Sequence, residues 1–256
     1  MNRKLLAWPA LVAAALIFLP ILAQAHYPWL NMQQYQLPEN RTANLTIGWG
    51  HAFPYDGFMK QDRVEDLYIL APSGTKVDVE AKSELEFASV NPLESGAYLV
   101  VGQPKGGYWT RTATGGRSQP KSGLDNVIGC SFSVNTMKAV LNVGDADGNV
   151  DAVVGHPLEI VPLANPATLK TGGYLPIRVL LNDEPYNGFF NATYAGFSSE
   201  SDVFAYTART NADGEGRLRI LNRGIWLIKV EHQEAYPDPG VCDTRTYRGV
   251  LTFEVD

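Results

Sequence analysis

The apolar positions after residue 26 recur in short runs, and no sustained helical periodicity links them. The runs are rich in β-branched and aromatic residues and are bounded by turn-forming residues, which is typical of short strands. In residues 217–221 polar and apolar positions alternate, as in a strand with one face in water. The pattern predicts strands at 45–49, 67–71, 76–81, 97–102, 138–143, 177–181, 191–194, 203–207, 217–221, 226–231 and 247–255.

Turn chemistry between the runs indicates an all-β chain built from sandwiches. Pro72-Ser73-Gly74, Asp147-Gly148, Asn187-Gly188 and Asp213-Gly214 are turn sequences. The number of strands favours two sandwiches over one, with a boundary near Gly155 that separates 26–154 from 155–256. The stretch 105–129 is rich in Gly, Ser and Thr and is predicted to be a long loop that carries Tyr108 and Trp109.

Composition excludes several classes of protein. Of the 256 residues, 45% are hydrophobic and 19% charged, values that fit a globular chain and not a disordered one. The formal net charge of -6 argues against a broad basic face for nucleic acid. No nucleophile elbow, zinc-protease helix, phosphate loop or dinucleotide fingerprint occurs in a suitable context, so we predict no enzyme.

The amino terminus has the three parts of a secretory signal. Arg3 and Lys4 supply positive charge, residues 5–22 carry none, and Ala23-Gln24-Ala25 resembles a cleavage site. An uncleaved anchor is the alternative, but Pro9 and Pro20 interrupt the apolar run. We expect residues 1–25 to be a cleaved signal peptide, and the mature protein to be periplasmic or secreted and not membrane-spanning.

Cleavage after Ala25 would make His26 the first residue. Its free α-amine and its imidazole Nδ1 can then close a chelate ring on a divalent metal, a site that the precursor lacks. Imidazole suits Zn, Cu, Fe and Ni, and a metal competes well with the proton of an α-amine. Chance placement of a histidine at this position is the alternative interpretation.

The two cysteines, Cys130 and Cys242, fall in different predicted domains. In an oxidising compartment an isolated pair usually forms a bridge. Such a bridge would close a loop of about 110 residues and stabilise the fold by roughly 4–5 kcal/mol in the chain-entropy model. The alternative is that a reduced thiolate joins a metal site.

Four segments, taken in order, carry a resemblance to a known family. They are the segment after the signal, the stretch around His51, the stretch from Gly155, and the late Trp-containing strand with the turn before it. Their residues are His26-Tyr27-Pro28-Trp29-Leu30, Gly48-Trp49-Gly50-His51-Ala52-Phe53-Pro54-Tyr55-Asp56, Gly155-His156-Pro157-Leu158-Glu159-Ile160-Val161-Pro162-Leu163-Ala164-Asn165-Pro166, and Thr207 and Asp213-Gly214 leading to Gly224-Ile225-Trp226-Leu227-Ile228-Lys229-Val230-Glu231-His232. Together they resemble the DUF4198 family, exported two-domain β proteins described as related to cobalt or nickel uptake. The resemblance implies immunoglobulin-like or prealbumin-like β-sandwiches and metal binding.

The same resemblance assigns candidate metal ligands. His26 and His51 match the family's histidines near the mature start, and His232 matches the histidine that ends the late Trp-containing strand. Asp56 is a further candidate, although it can equally cap a turn before Gly57. His156 is better explained as a hydrogen-bonding residue at the domain junction. The native metal, Ni, Co, Cu or Zn, would depend on geometry and supply, because affinity order alone favours Cu(II).

Three functions are compatible with these features. The first is a non-enzymatic exported protein that binds nickel or cobalt and passes the ion to an inner-membrane metal transporter. The second is a copper oxidoreductase of the type that cleaves polysaccharides oxidatively and uses the same amino-terminal chelate. The third is a metal-free carbohydrate-binding or structural module, in which aromatic side chains would form a platform for sugars. Trp49 and Trp226 are better explained as buried sandwich aromatics, which leaves Trp109 in its Gly-rich stretch open for this role.

Overall fold

A computed structural model of the chain describes residues 26–144, 148 and 150–256. The predicted signal at 1–25 and the turn residue Asp147 lie outside the described residues. Two short 3-10 helices occur at Gln61–Arg63 and Pro166–Thr168. The described strands are β1 Tyr27–Met32, β2 Gln36–Leu37, β3 Asn44–Gly50, β4 Gly57–Phe58, β5 Val64–Leu70, β6 Lys76–Ala81, β7 Glu86–Ser89, β8 Gly96–Pro104, β9 Gly107–Thr112, β10 Gly115–Arg117, β11 Val127–Val143, β12 Leu158–Pro162, β13 Tyr174–Leu181, β14 Glu184–Pro185, β15 Phe189–Tyr194, β16 Tyr206–Arg209, β17 Glu215–Arg219, β18 Gly224–Ala235 and β19 Thr244–Val255.

The all-β prediction is confirmed, and most predicted runs lie within observed strands. The run 203–207 is an exception, because its strand, β16, starts only at Tyr206. In the part of the chain that the structure describes, no helix is both long and apolar enough to cross a membrane.

The prediction of a long loop at 105–129 is wrong. β9 and β10 form a hairpin in this segment, and β9 also pairs with β11. Inward positions of β9 are threonines, since Thr110 and Thr112 are buried while Trp109 is exposed. The composition suggested a loop because these buried positions are polar, and their hydroxyls bond to backbone carbonyls of Gln119 and Gly115.

The strands form three layers, with one sheet in the middle and an outer layer on each of its faces. The central layer has the order β5-β8-β11-β19-β18-β15-β16, and β11 and β19 pair in parallel. β6 connects this sheet at one edge to β7, β3 and β1, which fold back over it. The second outer layer is a separate sheet of β12, β13, β14 and β17.

The middle of the central sheet is buried on both faces, which explains the apolar runs in β8 and in the first part of β18. In β8, Val100 packs into the core shared with β1, β3 and β7, while its neighbours Leu99 and Val101 pack against β12 and β13. β11 divides in the same way, with Leu141 on the first face and Val140 on the second. Two sandwiches therefore share one sheet.

The predicted domain boundary lies in the connection between β11 and β12. After that connection the chain builds the second outer layer and then returns, so that β18 and β19 extend the central sheet. Both sides of Gly155 contribute to the shared layer, and the division into 26–154 and 155–256 stays a prediction.

The predicted disulfide between Cys130 and Cys242 is present. Their Cα atoms are 5.0 Å apart, across 112 positions of sequence. Cys130 lies near the start of β11 and Cys242 just before β19, so the bridge joins the chain at the ends of two strands that pair in the central sheet.

Candidate metal centre

Pairing of β1 with β3 brings His26 and His51 together. In this antiparallel pair Tyr27 lies opposite Gly50, and the next position outward on each strand is a histidine. Side chains at opposite positions of an antiparallel pair stand on the same face of the sheet, about 5 Å apart at Cβ. The register therefore places two imidazoles side by side at the end of the pair.

The two rings are close enough to share a metal ion. Their centroids are 4.6 Å apart with an interplanar angle of 53°. With metal–nitrogen bonds near 2.0–2.1 Å, two imidazoles at adjacent coordination positions have centroids about 4.5–5.2 Å apart, and at opposite positions about 6.4 Å. The observed spacing fits adjacent positions.

Asp202 holds His51 from behind. The backbone N–H of Asp202 donates to the His51 carbonyl oxygen at 3.0 Å, and the carboxylate Oδ2 lies 2.9 Å from His51 Nδ1. This contact is a close approach of charge and not an aligned hydrogen bond, so His51 Nδ1 has no hydrogen bond among the described residues. The other carboxylate oxygen, Asp202 Oδ1, is also buried without a hydrogen bond among them. A carboxylate at Nδ1 favours the tautomer with the proton there, which leaves Nε2 free to bind a metal.

Lys229 neutralises this carboxylate on its other side. Its ammonium is 3.9 Å from Asp202 Oδ1 and 4.4 Å from the centroid of the Tyr27 ring. Burial lowers the pKa of Lys229, and the nearby Glu231 and Asp202 oppose that change. The support behind His51 is thus a largely buried carboxylate with a lysine beside it.

Asp56 fixes the turn that carries His51. Its Oδ2 accepts hydrogen bonds from the backbone N–H groups of His51 at 2.7 Å and Ala52 at 3.2 Å. The bond from His51 is the main reason that the pKa of Asp56 is lowered. A side chain at Gly50 would occupy the place of this carboxylate, since a Cβ there would lie 2.2 Å from Oδ2. Asp56 is a positioning residue for the turn.

His26 is the exposed member of the pair. Its ring stacks on Trp49 with centroids 5.7 Å apart and an angle of 11° between planes. Partial burial lowers the pKa of His26, and the neighbouring His51 lowers it further. The neutral imidazole, which is the form that binds metals, is favoured by this setting.

The structure does not bring His232 to this pair. Along β18 the side chains alternate between the two faces of the sheet. Trp226, Ile228 and Val230 share the face of His232 and pack into the core between the central sheet and the layer of β12, β13, β14 and β17. Leu227 lies on the opposite face, against Tyr27. The ring of His232 instead lies beside Tyr186 and Tyr247, at centroid distances of 5.4 and 6.1 Å.

His156 belongs to a different, buried cluster at the connection before β12. Its backbone N–H donates to Glu159 Oε2 at 3.2 Å, and its side chain is almost fully buried. Glu159 also pairs with Lys138 at 2.7 Å, with both side chains at 2% exposure or less. The hydrogen bond of His156 at this connection is made by its backbone, and an interdomain role for its imidazole stays a prediction.

The donors that are present fit a metal that accepts nitrogen. Among the described residues, no group of three His, Cys, Asp or Glu side chains could hold an ion. His26 and His51 supply two imidazoles, and the α-amine that cleavage before His26 would release is a further nitrogen donor beside them. The disulfide removes Cys130 and Cys242 as thiolate ligands.

Sequence reasoning missed Asp202 and overestimated how deeply Trp49 is buried. Asp202 is 151 positions from His51 in the chain, and no local pattern marks it. The indole of Trp49 is half-buried and lines a cavity of about 690 Å³ that also contains His26. His26 and His51 each lie one position beyond the end of the β1–β3 pairing. Their proximity could have been predicted only if that pairing had been known.

Comparison with known proteins identifies a family match. The sequence model of the family described as "Domain of unknown function (DUF4198)" matches residues 23–234 of this chain. No curated protein shows significant similarity to the chain.

Several solved structures show weak similarity. Murine CEACAM1b is 8% identical, with 90% of this chain and 100% of that chain covered and a TM-score of 0.23. A DUF4785 family protein from Legionella pneumophila is 9% identical, with 87% and 54% covered and a TM-score of 0.26. Salmonella alpha-2-macroglobulin is 12% identical, with 89% and 15% covered and a TM-score of 0.24. Scores this low carry no argument about function.

Proposed function

The chain belongs to the DUF4198 family, and from this premise we propose that it is an exported, non-enzymatic protein that binds a transition metal. The observation that carries the proposal is the His26–His51 pair, whose rings are 4.6 Å apart. Asp202 behind His51 is the outer partner that metal-binding histidines usually have.

Processing is part of the proposal. The signal at 1–25 directs export to the periplasm, and its removal frees the α-amine of His26. The amine and the two imidazoles then give three nitrogen donors, and water or a small ligand takes the remaining positions. Nitrogen donors of this kind suit nickel, cobalt, copper and zinc.

Nickel or cobalt is the proposed cargo, and an inner-membrane metal transporter the proposed recipient. The family resemblance supplies this choice. A site with only three protein donors, one of them the chain terminus, suits a protein that releases its metal as well as binding it.

The test measures metal content and affinity in protein processed by its own signal. Mass spectrometry first establishes residue 26 as the new terminus, and calorimetry then measures nickel, cobalt, copper and zinc binding. We expect one metal per chain, and affinity more than about 100-fold lower in His51→Ala because a ligand is lost.

The matched control is a protein with one extra residue before His26, which keeps both imidazoles but moves the amine. We expect its affinity to fall as well, while its thermal stability stays unchanged. Equal affinity with and without the extra residue would show that the amine is not a ligand, and a different processed terminus would refute the site.

The copper oxidoreductase is a second candidate, favoured by the cavity that adjoins His26 and contains Trp109. Copper-loaded processed protein, incubated with a reductant and polysaccharides, tests it. Oxidised oligosaccharides that disappear in His51→Ala would support the enzyme over the carrier.

A further inference from the structure

The cavity beside His26 has the size of a small-molecule site. Its volume is about 690 Å³, within the range of pockets that hold organic ligands. Strands β1, β3, β9 and β11 and the connections beside them supply its walls: His26, Trp49, Arg63, Lys105, Gly107, Tyr108, Trp109, Ser118, Ser133 and Asn135.

The charge of this cavity is opposite to that of the protein. The chain has a net charge of -6, yet the lining contains Arg63 and Lys105 and no carboxylate. Their backbones are joined by a hydrogen bond from Lys105 N–H to the Arg63 carbonyl oxygen at 2.9 Å, so both side chains start from the same edge of the cavity. Neither cation forms a salt bridge with any described residue, and Lys105 bonds only to the carbonyl oxygen of Asp62.

Aromatic rings line the same space. Trp109 is 48% exposed, and its indole lies against Gly116, where a Cβ would come within 2.1 Å of the ring. The His26 ring stacks on the Trp49 ring, and the Arg63 guanidinium lies 4.5 Å from the centroid of the Trp49 ring. The exposed indole of Trp109, beside two cations, favours a flat or apolar molecule that carries negative charge.

Asn135 places an amide in the wall of this cavity. Its side chain is 4% exposed, and its Oδ1, which is itself buried, makes no hydrogen bond to any described residue. The amide N–H group can donate a hydrogen bond to a carboxylate or a hydroxyl group.

We propose that this cavity binds a small organic carboxylate that chelates the metal and contributes ligands to it next to His26. Arg63 and Lys105 bind the carboxylate groups, Trp109 covers the flat part of the molecule, and Asn135 bonds a polar end. The metal-chelating part rests on the proposed metal site, whereas binding of the carboxylate to the cavity does not.

The test uses calorimetry with three probes on processed, metal-free protein: citrate, histidine and pyridine-2,6-dicarboxylate. We expect binding of at least one carboxylate, and no comparable binding of pyridine-2,6-dimethanol, the neutral analogue of the third probe. The Arg63→Gln, Lys105→Gln double variant should bind the best probe at least about tenfold more weakly, because two charge-assisted hydrogen bonds are lost. Lys170→Gln, a change at an exposed lysine outside the cavity, should bind as the unmodified protein does.

Nickel separates this proposal from the metal site. With nickel bound, the best probe should bind more tightly than to metal-free protein. If the probe binds and nickel does not, the metal site is wrong and the carboxylate site stands. Failure of all three probes on a folded protein, or equal binding of the neutral analogue, overturns the proposal.

Discussion

Two clusters in this protein combine a histidine, a carboxylate and a lysine, yet their bonding differs. At the junction before β12, Glu159 accepts bonds from Lys138 at 2.7 Å and from the backbone N–H groups of Val154, Gly155 and His156. Both oxygens of this carboxylate are used, and the Glu159 and Lys138 side chains are almost fully buried, so we call this the closed cluster. Removing one partner of such a pair leaves a buried charge uncompensated.

The cluster behind His51 is incomplete by comparison. Asp202 Oδ1 has no hydrogen bond among the described residues, and Lys229 stands at 3.9 Å, beyond bonding distance. The imidazole that it supports lies against His26, beside an open cavity. The same residue types thus differ in bonding: the closed cluster satisfies its carboxylate within the fold, whereas the open cluster behind His51 leaves one carboxylate oxygen unbonded and its imidazole against His26.

The largest expected effect is on stability at the closed cluster. Glu159→Ala leaves Lys138 buried and uncompensated, and should lower the free energy of unfolding by about 3–5 kcal/mol. Asp202→Ala should lower it by about 1 kcal/mol, since its bonds are fewer and weaker. Chemical denaturation of both variants measures the difference, and equal losses would remove the contrast between the clusters.

The next effect is a pH dependence at His156. Burial lowers its pKa to about 4, against an unfolded value near 6.5. Between these values the unfolded chain binds the proton and the folded chain does not, so stability falls as pH drops from about 6.5 to about 4, by up to about 3 kcal/mol.

Denaturation curves of the unmodified protein and of His156→Asn across this pH range isolate the contribution. The difference between the two curves should appear only below about pH 6.5. Parallel curves would show that this imidazole does not resist protonation in the fold.

A smaller effect concerns the open cluster and metal affinity. Asp202→Asn keeps the size of the side chain but removes the charge that orients His51, and should weaken nickel binding about 10- to 100-fold. Glu159→Gln, the matching change in the closed cluster, should leave nickel affinity unaltered. The interpretation fails if the two amide variants bind nickel equally well.

The smallest effect is expected at His232. Because its ring lies between Tyr186 and Tyr247 on the other face of β18, His232→Ala should change nickel affinity by less than about twofold. Titration by calorimetry decides this, and a larger loss would restore His232 as a ligand.

The strands of the central sheet could be predicted from the sequence better than the fact that two sandwiches share this sheet. Buried runs such as 97–102 have a plain apolar pattern, but that pattern is the same whether a strand is covered by one sandwich or two. The sequence did not predict the β9–β10 hairpin because its inward residues, Thr110 and Thr112, are polar, as residues in loops often are. Their hydroxyls donate hydrogen bonds to nearby backbone carbonyl oxygens, which allows them to be buried.

The candidate site was predictable only in part. His26 stands out through the predicted cleavage and His51 was named from the family resemblance, so both could be named before any pairing was known. Asp202 and Asn135 come from distant loops and strands and carry no local signal. His232 was named from a resemblance. In the fold, its side chain lies on the face of β18 opposite to Leu227, away from Tyr27 and the His26–His51 pair.

X-ray absorption spectroscopy of nickel bound to the processed protein tests the central claim most directly. The account predicts scattering from two imidazole rings in the unmodified protein and from one ring in His51→Ala. An identical imidazole signal in both proteins would show that the metal is held elsewhere, and would contradict the His26–His51 centre.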